Sequence, residues 1–176
     1  MKLLAISGAL RTGSRNTALL REAIRLGGVN DAEFADLRLP LYDGDLEDRV
    51  GLPAEVKVLC DQIRAADALL FSTPEYNKMI PGVLKNALDW ASREKPQPLT
   101  GKPVAIVSTG GRSGGEVAQF TLRHALTSFN VDLVGGSGVI VPFGGKAFDA
   151  EDRLADPVVA ESVTALMKRL RDSVRR

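Results

Sequence analysis

Short apolar runs alternate with amphipathic stretches along this 176-residue chain, and this alternation constrains the fold more than any other feature. The first run, Lys2–Ser7 (KLLAIS), is apolar over most of its length, as expected of a strand buried on both faces of a sheet. The stretch that follows carries Leu19, Leu20, Ala23 and Ile24 at helical spacing. Strands that alternate with helices form parallel sheets covered on both faces, so the pattern predicts a doubly wound three-layer α/β domain.

The pattern predicts five strands and five helices within a single domain that spans residues 1–176. The predicted strands are Lys2–Ser7, Ala32–Leu37, Asp67–Ser72, Lys102–Thr109, and a fifth made of Val131–Val134 and Val139–Val141 on either side of the glycine-rich bend Gly135–Gly138. The predicted helices are Asn16–Leu26, one opened by Pro53, one opened by Pro81, Glu116–Phe129, and a last one capped by Asp156-Pro157. The segment Pro40–Leu52 is predicted to be a polar loop.

Charge and residue counts exclude several classes of function. The chain has 23 Lys and Arg against 22 Asp and Glu, whereas nucleic-acid-binding proteins usually carry a clear basic excess. A single cysteine, Cys60, and a single histidine, His124, provide no disulfide framework, no CxxC pair and no zinc cluster. We expect Cys60 to be a buried, inert thiol and His124 to lie on a helix surface. If the chain is an enzyme, its chemistry comes from something that it binds.

The location of the protein is predicted from what the sequence lacks. No apolar run reaches the length of about 18 residues that a membrane span needs, and the apolar start is too short for a signal peptide. We therefore expect a cytoplasmic protein that binds neither membranes nor nucleic acid.

The loop after the first strand (SGALRTGSRNT) leads directly into a helix, whose free N–H groups and dipole suit a phosphate. Ser14, Asn16 and Thr17 can donate side-chain hydrogen bonds to phosphate oxygens, and Arg11 or Arg15 can add a charge-assisted bond. The loop is neither a Walker A motif nor GxGxxG. It predicts a site for a mononucleotide phosphate such as that of FMN. The alternative is that Ser14 or Asn16 simply caps the helix.

The loop after the third strand has the composition of a site for a flat heteroaromatic ring. Pro74 and Pro81 stiffen its two ends, and backbone N–H groups and the Asn77 amide lie between them. Tyr76 offers an apolar face with a polar tip. Glu75 either accepts a hydrogen bond from a ring N–H or serves as a structural acceptor within the protein.

Two motifs in this chain resemble those of the NADPH-dependent FMN reductase family. One is Pro74-Glu75-Tyr76-Asn77 followed by PGVLKNALDW, and the other is the first loop, which is similar to Gly-Ser-Leu-Arg-x-x-Ser-x-Asn. The resemblance runs from Lys2 to about Leu126. It implies a flavodoxin-like fold with a five-stranded parallel sheet in the order 2-1-3-4-5. It also implies FMN as cofactor, NADPH or NADH as co-substrate, and association into homodimers or homotetramers.

The resemblance also implies which residues hold the cofactor. Arg11, Ser14, Arg15 and Asn16 correspond to the phosphate site, Pro74, Glu75, Tyr76 and Asn77 to the segment along the isoalloxazine, and Thr109 and Gly110 to the ring edge. Thr109 and Gly110 belong to a loop with four glycines in eight residues (STGGRSGG), for which a flexible linker is the alternative. The same loop contains Arg112, a candidate contact for the phosphate of the nicotinamide dinucleotide.

Some positions differ from the family pattern or have a structural interpretation. Ala9 replaces the usual Ser, and the bulky Met79 is expected to narrow the pocket over the flavin. The helix residues Lys85, Asn86, Asp89 and Trp90 are expected to pack and to form surface pairs. The alternative for Trp90 is an exposed position near the helix end, at a subunit interface.

These observations predict an NAD(P)H-dependent FMN oxidoreductase that reduces quinones, azo compounds, flavins or metal oxyanions by a ping-pong mechanism. No catalytic side chain and no metal are predicted, because flavin N5 carries the hydride. Two alternatives stay open. One is a flavodoxin-type electron carrier without turnover, and the other is a flavin-free regulator of the same fold.

Overall fold

The computed structural model describes residues 1–136 and 138–175, so Ser137, within the predicted bend Gly135–Gly138, and Arg176 lie outside the described residues. The strands are β1 Lys2–Ser7, β2 Asp31–Phe34, β3 Ala68–Ser72, β4 Pro103–Thr109, β5 Asp132–Leu133 and β6 Val139–Val141. The helices are α1 Arg15–Leu26, α2 Gly44–Val50, α3 Ala54–Ala65, α4 Gly82–Arg93, α5 Glu116–Leu126 and α6 Pro157–Val174, with a short 3-10 turn at Thr127–Phe129.

All strand pairs are parallel, and the order β2-β1-β3-β4-β5 confirms the predicted flavodoxin-like topology. The last position in the sheet is shared by two short strands. Asp132 of β5 is paired with Pro103 at the start of β4, and Val139 of β6 is paired with Val107 near its end. The predicted interruption of the fifth strand is therefore confirmed.

Successive residues of each central strand point to opposite helical layers. Leu3 and Ala5 of β1 belong to the core beneath α1 and α6, whereas Leu4 and Ile6 belong to the core beneath α3, α4 and α5. All four side chains are at most 3% exposed. Burial on both faces explains why β1 has a continuous apolar sequence rather than an alternating one.

The prediction of a polar loop over Pro40–Leu52 was wrong, because this segment contains α2. Asp43 caps this helix by accepting a hydrogen bond from the Asp45 N–H at 3.0 Å, and Gly51 ends it with a φ of 69°. No residue of α2 is buried, so it lacks the apolar periodicity by which the other helices are recognised. The second strand is also shorter than predicted and ends at Phe34, although Leu37 remains buried.

The favoured prediction that Trp90 packs within the protein is confirmed. The side chain is fully buried, and its Nε1 donates to the Pro40 carbonyl at 2.8 Å. One turn earlier, Asn86 donates to the same carbonyl at 2.9 Å and accepts from the Tyr42 N–H at 2.8 Å. These two α4 residues therefore fix the segment between β2 and α2, and Trp90 is a packing residue rather than an interface residue. Lys85 and Asp89 form the expected surface pair.

Within residues 1–136 and 138–175, the structure contains no helix that is both long and apolar enough to span a membrane.

Candidate functional site

A cleft of about 310 Å³ lies at the carboxyl edge of the sheet, where the loops after β1, β3, β4 and β6 meet. Its volume is at the lower end of the range of about 300–1,000 Å³ typical of small-molecule sites. The lining residues are Ala9, Arg11, Gly13, Ser14, Arg15 and Asn16, then Pro74, Glu75 and Tyr76, then Thr109, Gly110 and Gly111, and finally Gly144 and Gly145. The structure thus brings together the predicted site residues, except Thr17 and Asn77.

The hydroxyl groups of Ser14 and Thr17 make hydrogen bonds within the protein. Ser14 Oγ accepts from the Thr17 N–H at 3.2 Å and caps α1, which is the alternative role considered for Ser14. Thr17 Oγ1 lies 2.9 Å from Ser7 Oγ, and the two hydroxyls share a hydrogen bond. These contacts shape the loop around the start of α1.

The Asn16 amide joins three parts of the chain. Its Nδ2 donates to the Thr109 carbonyl at 2.9 Å, and its Oδ1 accepts from Ser72 Oγ at 2.8 Å and from the Thr109 N–H at 3.2 Å. The residue is only 5% exposed. Asn16 therefore ties the carboxyl ends of β3 and β4 to α1. Its predicted contact with a phosphate stays a prediction.

Groups suited to an anion remain at the start of α1. The first N–H groups of any α-helix have no intrahelical acceptor, and here those of Arg15 and Asn16 lie beside the cleft. The exposed guanidinium groups of Arg11 and Arg15 add positive charge. Arg15 Nη1 donates to Asp152 Oδ1 at 2.6 Å, and its Cζ lies 5.6 Å from the centre of the Phe148 ring.

The loop after β3 forms a tight two-residue turn. Tyr76 and Met79 exchange backbone hydrogen bonds of 3.1 and 3.0 Å, while Asn77 and Lys78 both have positive φ angles, of 51° and 66°. Positive φ at both central positions is characteristic of a type I′ turn. The turn leaves Tyr76 and Met79 about half exposed, at 52% and 55%, and places Asn77 at its tip rather than on the cleft wall.

Glu75 has the structural role that was one of its two predicted interpretations. Its Oε2 accepts from the backbone N–H groups of Val117 and Ala118, at 3.0 and 3.4 Å, in the first turn of α5. A carboxylate is favoured there because the helix dipole is positive at its N-terminus. Lys78 Nζ lies 3.3 Å from the other carboxylate oxygen. Glu75 thereby joins the loop after β3 to the loop after β4.

The loop after β4 is held by the segment that follows β6, so it is not a free linker. Thr109 Oγ1 donates to the Val141 carbonyl at 2.9 Å, and the Gly144 N–H donates to the Gly110 carbonyl at 2.8 Å. A Cβ at position 144 would lie 2.4 Å from Thr109 Oγ1, so a glycine is needed there. Arg112 is exposed and is not part of the cleft wall.

Gly144 and Gly145 were missed from the sequence. The available signal was a glycine pair close behind a short strand, β6, that ends at the same edge of the sheet as β4.

The cysteine and the histidine lie where the sequence predicted. Cys60 is fully buried, and burial raises its pKa to about 11, so it is a thiol rather than a reactive thiolate at neutral pH. His124 lies exposed on α5.

The chain was compared with known proteins. The model of the family described as NADPH-dependent FMN reductase matches residues 1–146. The chain is 46% identical to an NAD(P)H-dependent FMN reductase of Pseudomonas aeruginosa, over 100% of this chain and 96% of that protein. It is 42% identical to the quinone reductase of Escherichia coli, over 72% of this chain and 69% of that protein.

Among solved structures, the chain is similar to a flavoenzyme NAD(P)H:acceptor oxidoreductase from Paracoccus denitrificans. The TM-score is 0.86 at 28% identity, with 99% of this chain and 98% of that chain covered. An archaeal flavodoxin, with a TM-score of 0.65 at 12% identity, shares the fold alone.

These matches confirm three predictions from the sequence, namely the family, the classification as an enzyme, and FMN with NAD(P)H as cofactor and co-substrate. The two loops that carried the resemblance both line one cleft, and the family match spans both. On this combined basis, the chain belongs to the NADPH-dependent FMN reductase family and is an oxidoreductase.

Proposed function

We propose that this protein transfers electrons from NAD(P)H through FMN to quinones, and by the same route to azo compounds, flavins and metal oxyanions. The observation that carries the proposal is a cleft at the carboxyl edge of the sheet that is lined both by the start of α1 and by the loops after β3 and β4. Bound FMN supplies the hydride-accepting chemistry at its N5 atom, so no ionisable side chain has to act as a catalytic residue.

The first end of the cleft fits a phosphate by the chemistry of its donors. The start of α1 offers N–H groups and a positive dipole, and Arg11 adds a full charge. The hydroxyl of Ser14 shapes the loop by capping the helix. We assign these groups to the phosphate of FMN.

The second end fits a flat ring. Pro74 and Tyr76 from the loop after β3 and Thr109, Gly110 and Gly111 from the loop after β4 line it. The type I′ turn holds Tyr76 in place without burying it, and the glycines allow the backbone to approach a ring closely. We assign Pro74, Glu75, Tyr76, Asn77, Thr109 and Gly110 to the isoalloxazine end. Glu75 acts there indirectly, through its hydrogen bonds to the first turn of α5.

The open side of this end supports a ping-pong mechanism. Tyr76 and Met79 at its rim are half exposed, so donor and acceptor can occupy the same place in turn. Small acceptors that diffuse in need no charged docking surface, and this agrees with the net charge of +1.

We also propose that the protein is cytoplasmic, forms a single domain over residues 1–176, and associates as a homodimer or homotetramer. Residues beyond the family match support the single domain, because α6 packs against α1 and the same sheet. The half-exposed apolar side chains of Tyr76 and Met79 support a partner chain near the cleft. Light scattering of the purified protein measures the assembly.

The proposed function is tested by steady-state oxidation of NADPH with a quinone, using purified protein loaded with FMN. Sustained turnover, with initial rates that give parallel lines in double-reciprocal plots, is the expected result. Reduction of bound FMN without turnover would favour an electron carrier. A colourless protein that takes up no added FMN would favour a flavin-free regulator.

A further inference from the structure

We propose that Asp152 competes with the cofactor phosphate for the Arg15 guanidinium and thereby weakens the hold of this protein on FMN. The inference rests on the proposed function, since it takes the start of α1 to be the phosphate site. Asp152 does not line the cleft, and we assign to it a role in setting the affinity for FMN.

The first observation is the ion pair itself. Arg15 lines the cleft, and its Nη1 donates to Asp152 Oδ1 at 2.6 Å. The guanidinium carbon also lies 5.6 Å from the centre of the Phe148 ring, within the range of a cation–π contact. Arg15 is thus oriented by two groups from one distant segment. Its side chain remains 43% exposed, so an incoming anion can still reach it.

The second observation is that Asp152 is held in place by a hairpin, which we define as residues Ala147–Ala155. Phe148 pairs with Leu154 across it, and the Ala155 N–H donates to the Ala147 carbonyl at 3.0 Å. Asp149 Oδ1 accepts from the backbone N–H groups of Glu151 and Arg153, at 3.0 and 2.8 Å. Asp152 lies at the tip with a φ of 56°, a left-handed conformation that non-glycine residues rarely adopt.

The third observation is a set of hydrogen bonds from the hairpin to Glu22 of α1, and we call this set the clamp. Glu22 of α1 has a side chain only 1% exposed, and it accepts from Arg153 Nη1 at 3.2 Å and from the Leu154 N–H at 3.3 Å. The clamp attaches the base of the hairpin about two helical turns from Arg15. Asp152 therefore stays beside Arg15 because of the fold and not only because of their mutual attraction.

A phosphate at the start of α1 would be attracted by some nearby groups and repelled by another. The N–H groups and Arg11 attract it, whereas the charge of Arg15 is already paired and Asp152 adds a negative charge behind it. The Asp152 carboxylate and the phosphate compete for the Arg15 guanidinium. The Arg15–Asp152 ion pair must therefore weaken for the phosphate to gain a full charge-assisted bond. The competition acts on FMN and leaves riboflavin, which lacks the phosphate, unaffected.

The test is Asp152→Asn, with FMN and riboflavin affinities measured by quenching of flavin fluorescence on the full-length apoprotein. Asparagine tolerates the left-handed conformation, so the hairpin is preserved while the charge is removed. The dissociation constant for FMN is expected to fall about two- to fivefold, the range of an exposed ion pair, and that for riboflavin to stay unchanged. In an Arg15→Ala background, the gain in FMN affinity from Asp152→Asn is expected to be much smaller, because only the repulsion between Asp152 and the phosphate is then removed.

Glu151→Gln is the matched control, since Glu151 is the exposed neighbour of Asp152 with the same charge. An equal gain in FMN affinity from Glu151→Gln would assign the effect to general surface charge and overturn the inference. Unchanged FMN affinity in Asp152→Asn, with FMN still preferred over riboflavin by the wild type, would also overturn it and leave the phosphate site intact. Equal wild-type affinities for FMN and riboflavin would refute the phosphate site itself.

Discussion

The two edges of the sheet each carry a cleft, and the larger one is not the one that we assign to FMN. The cleft at the amino edge measures about 540 Å³, whereas the one at the carboxyl edge measures about 310 Å³. The amino-edge cleft is lined by Met1, Gly28, Val29, Asn30, Asp31, Asp67, Arg171, Val174 and Arg175. Volume alone would therefore select the edge opposite to the proposed site.

Helix direction explains the difference between the edges. α1 and α6 end at the amino edge, where helix carbonyls point outward and carry partial negative charge. Arg171 is engaged there by the Gly27 carbonyl just beyond α1, and Asp31 and Asp67 add negative charge. At the carboxyl edge α1 begins, and its free N–H groups favour an anion. The chemistry of helix ends, rather than the size of a cavity, thus decides which edge suits a nucleotide.

The assignment of the phosphate to the carboxyl edge is tested most directly by removing one arginine from each edge. Arg11→Ala is expected to raise the FMN dissociation constant about 10- to 100-fold, because a charge-assisted hydrogen bond contributes about 1.5–3 kcal/mol. Arg175→Ala, at the amino edge, is expected to leave it unchanged. Equilibrium dialysis measures both, and equal losses in the two variants would contradict the assignment of the phosphate to the carboxyl edge.

Ser14→Ala requires separate treatment. Ser14 caps α1, so its loss is expected to cost about 1 kcal/mol of stability in addition to any effect on the cofactor. A variant that combines Arg11→Ala with Ser14→Ala therefore has to be compared with each single variant.

A second prediction concerns the clamp that supports the carboxyl-edge site. Glu22→Gln is expected to lower the free energy of unfolding by about 1–3 kcal/mol, since it weakens hydrogen bonds to a buried carboxylate. Urea unfolding at neutral pH measures the loss. Glu33→Gln serves as a control, because Glu33 pairs with Lys2 near the surface. A loss from Glu33→Gln as large as that from Glu22→Gln would contradict the importance of the clamp.

The stability difference between wild type and Glu22→Gln is also expected to depend on pH. The hydrogen bond from Arg25 is the main cause that lowers the pKa of Glu22 in the folded protein. A carboxyl group with a lowered folded pKa stabilises the fold above its unfolded pKa, and this contribution disappears as the pH falls through the folded value. The gap in stability between wild type and Glu22→Gln is therefore expected to narrow under acid conditions. A gap that stays constant down to strongly acid pH would contradict the lowered pKa.

The smallest predicted effect lies at the ring end of the cleft. Lys78 has a φ of 66° in the type I′ turn, and Lys78→Gly converts the turn to Asn-Gly, the preferred pair for this geometry. The variant is expected to gain up to about 1 kcal/mol of stability with FMN affinity nearly unchanged. Thermal unfolding measures the gain in stability of Lys78→Gly. Asn77→Gly is the control, and it should gain less because asparagine already tolerates positive φ.

Much of this fold follows from local sequence, and what was missed depends on contacts between distant residues. The buried strands and their order were predictable because apolar runs and helical periodicity are local signals. α2 was missed because it buries nothing, and the hydrogen-bond partner of Trp90 was not foreseen because Pro40 lies 50 residues away.

The candidate site follows the same rule. The three loops were found because parallel strands all end at one edge of the sheet. The polar side chains of Asn16 and Glu75 were predicted as cofactor contacts, yet in the structure they join loops to one another. A sequence displays the donors and acceptors of a loop without displaying which of them the fold itself uses.

The Asn16 amide has a consequence for how the protein is made. Its partners Ser72 and Thr109 lie 56 and 93 residues further along the chain, so its hydrogen bonds form only when α1, β3 and β4 have come together. Gly144, on another wall, must also be in place. The proposed flavin site is therefore expected to form only after most of the chain has emerged from the ribosome and folded. FMN bound there would stabilise the assembled fold and not a partly made chain.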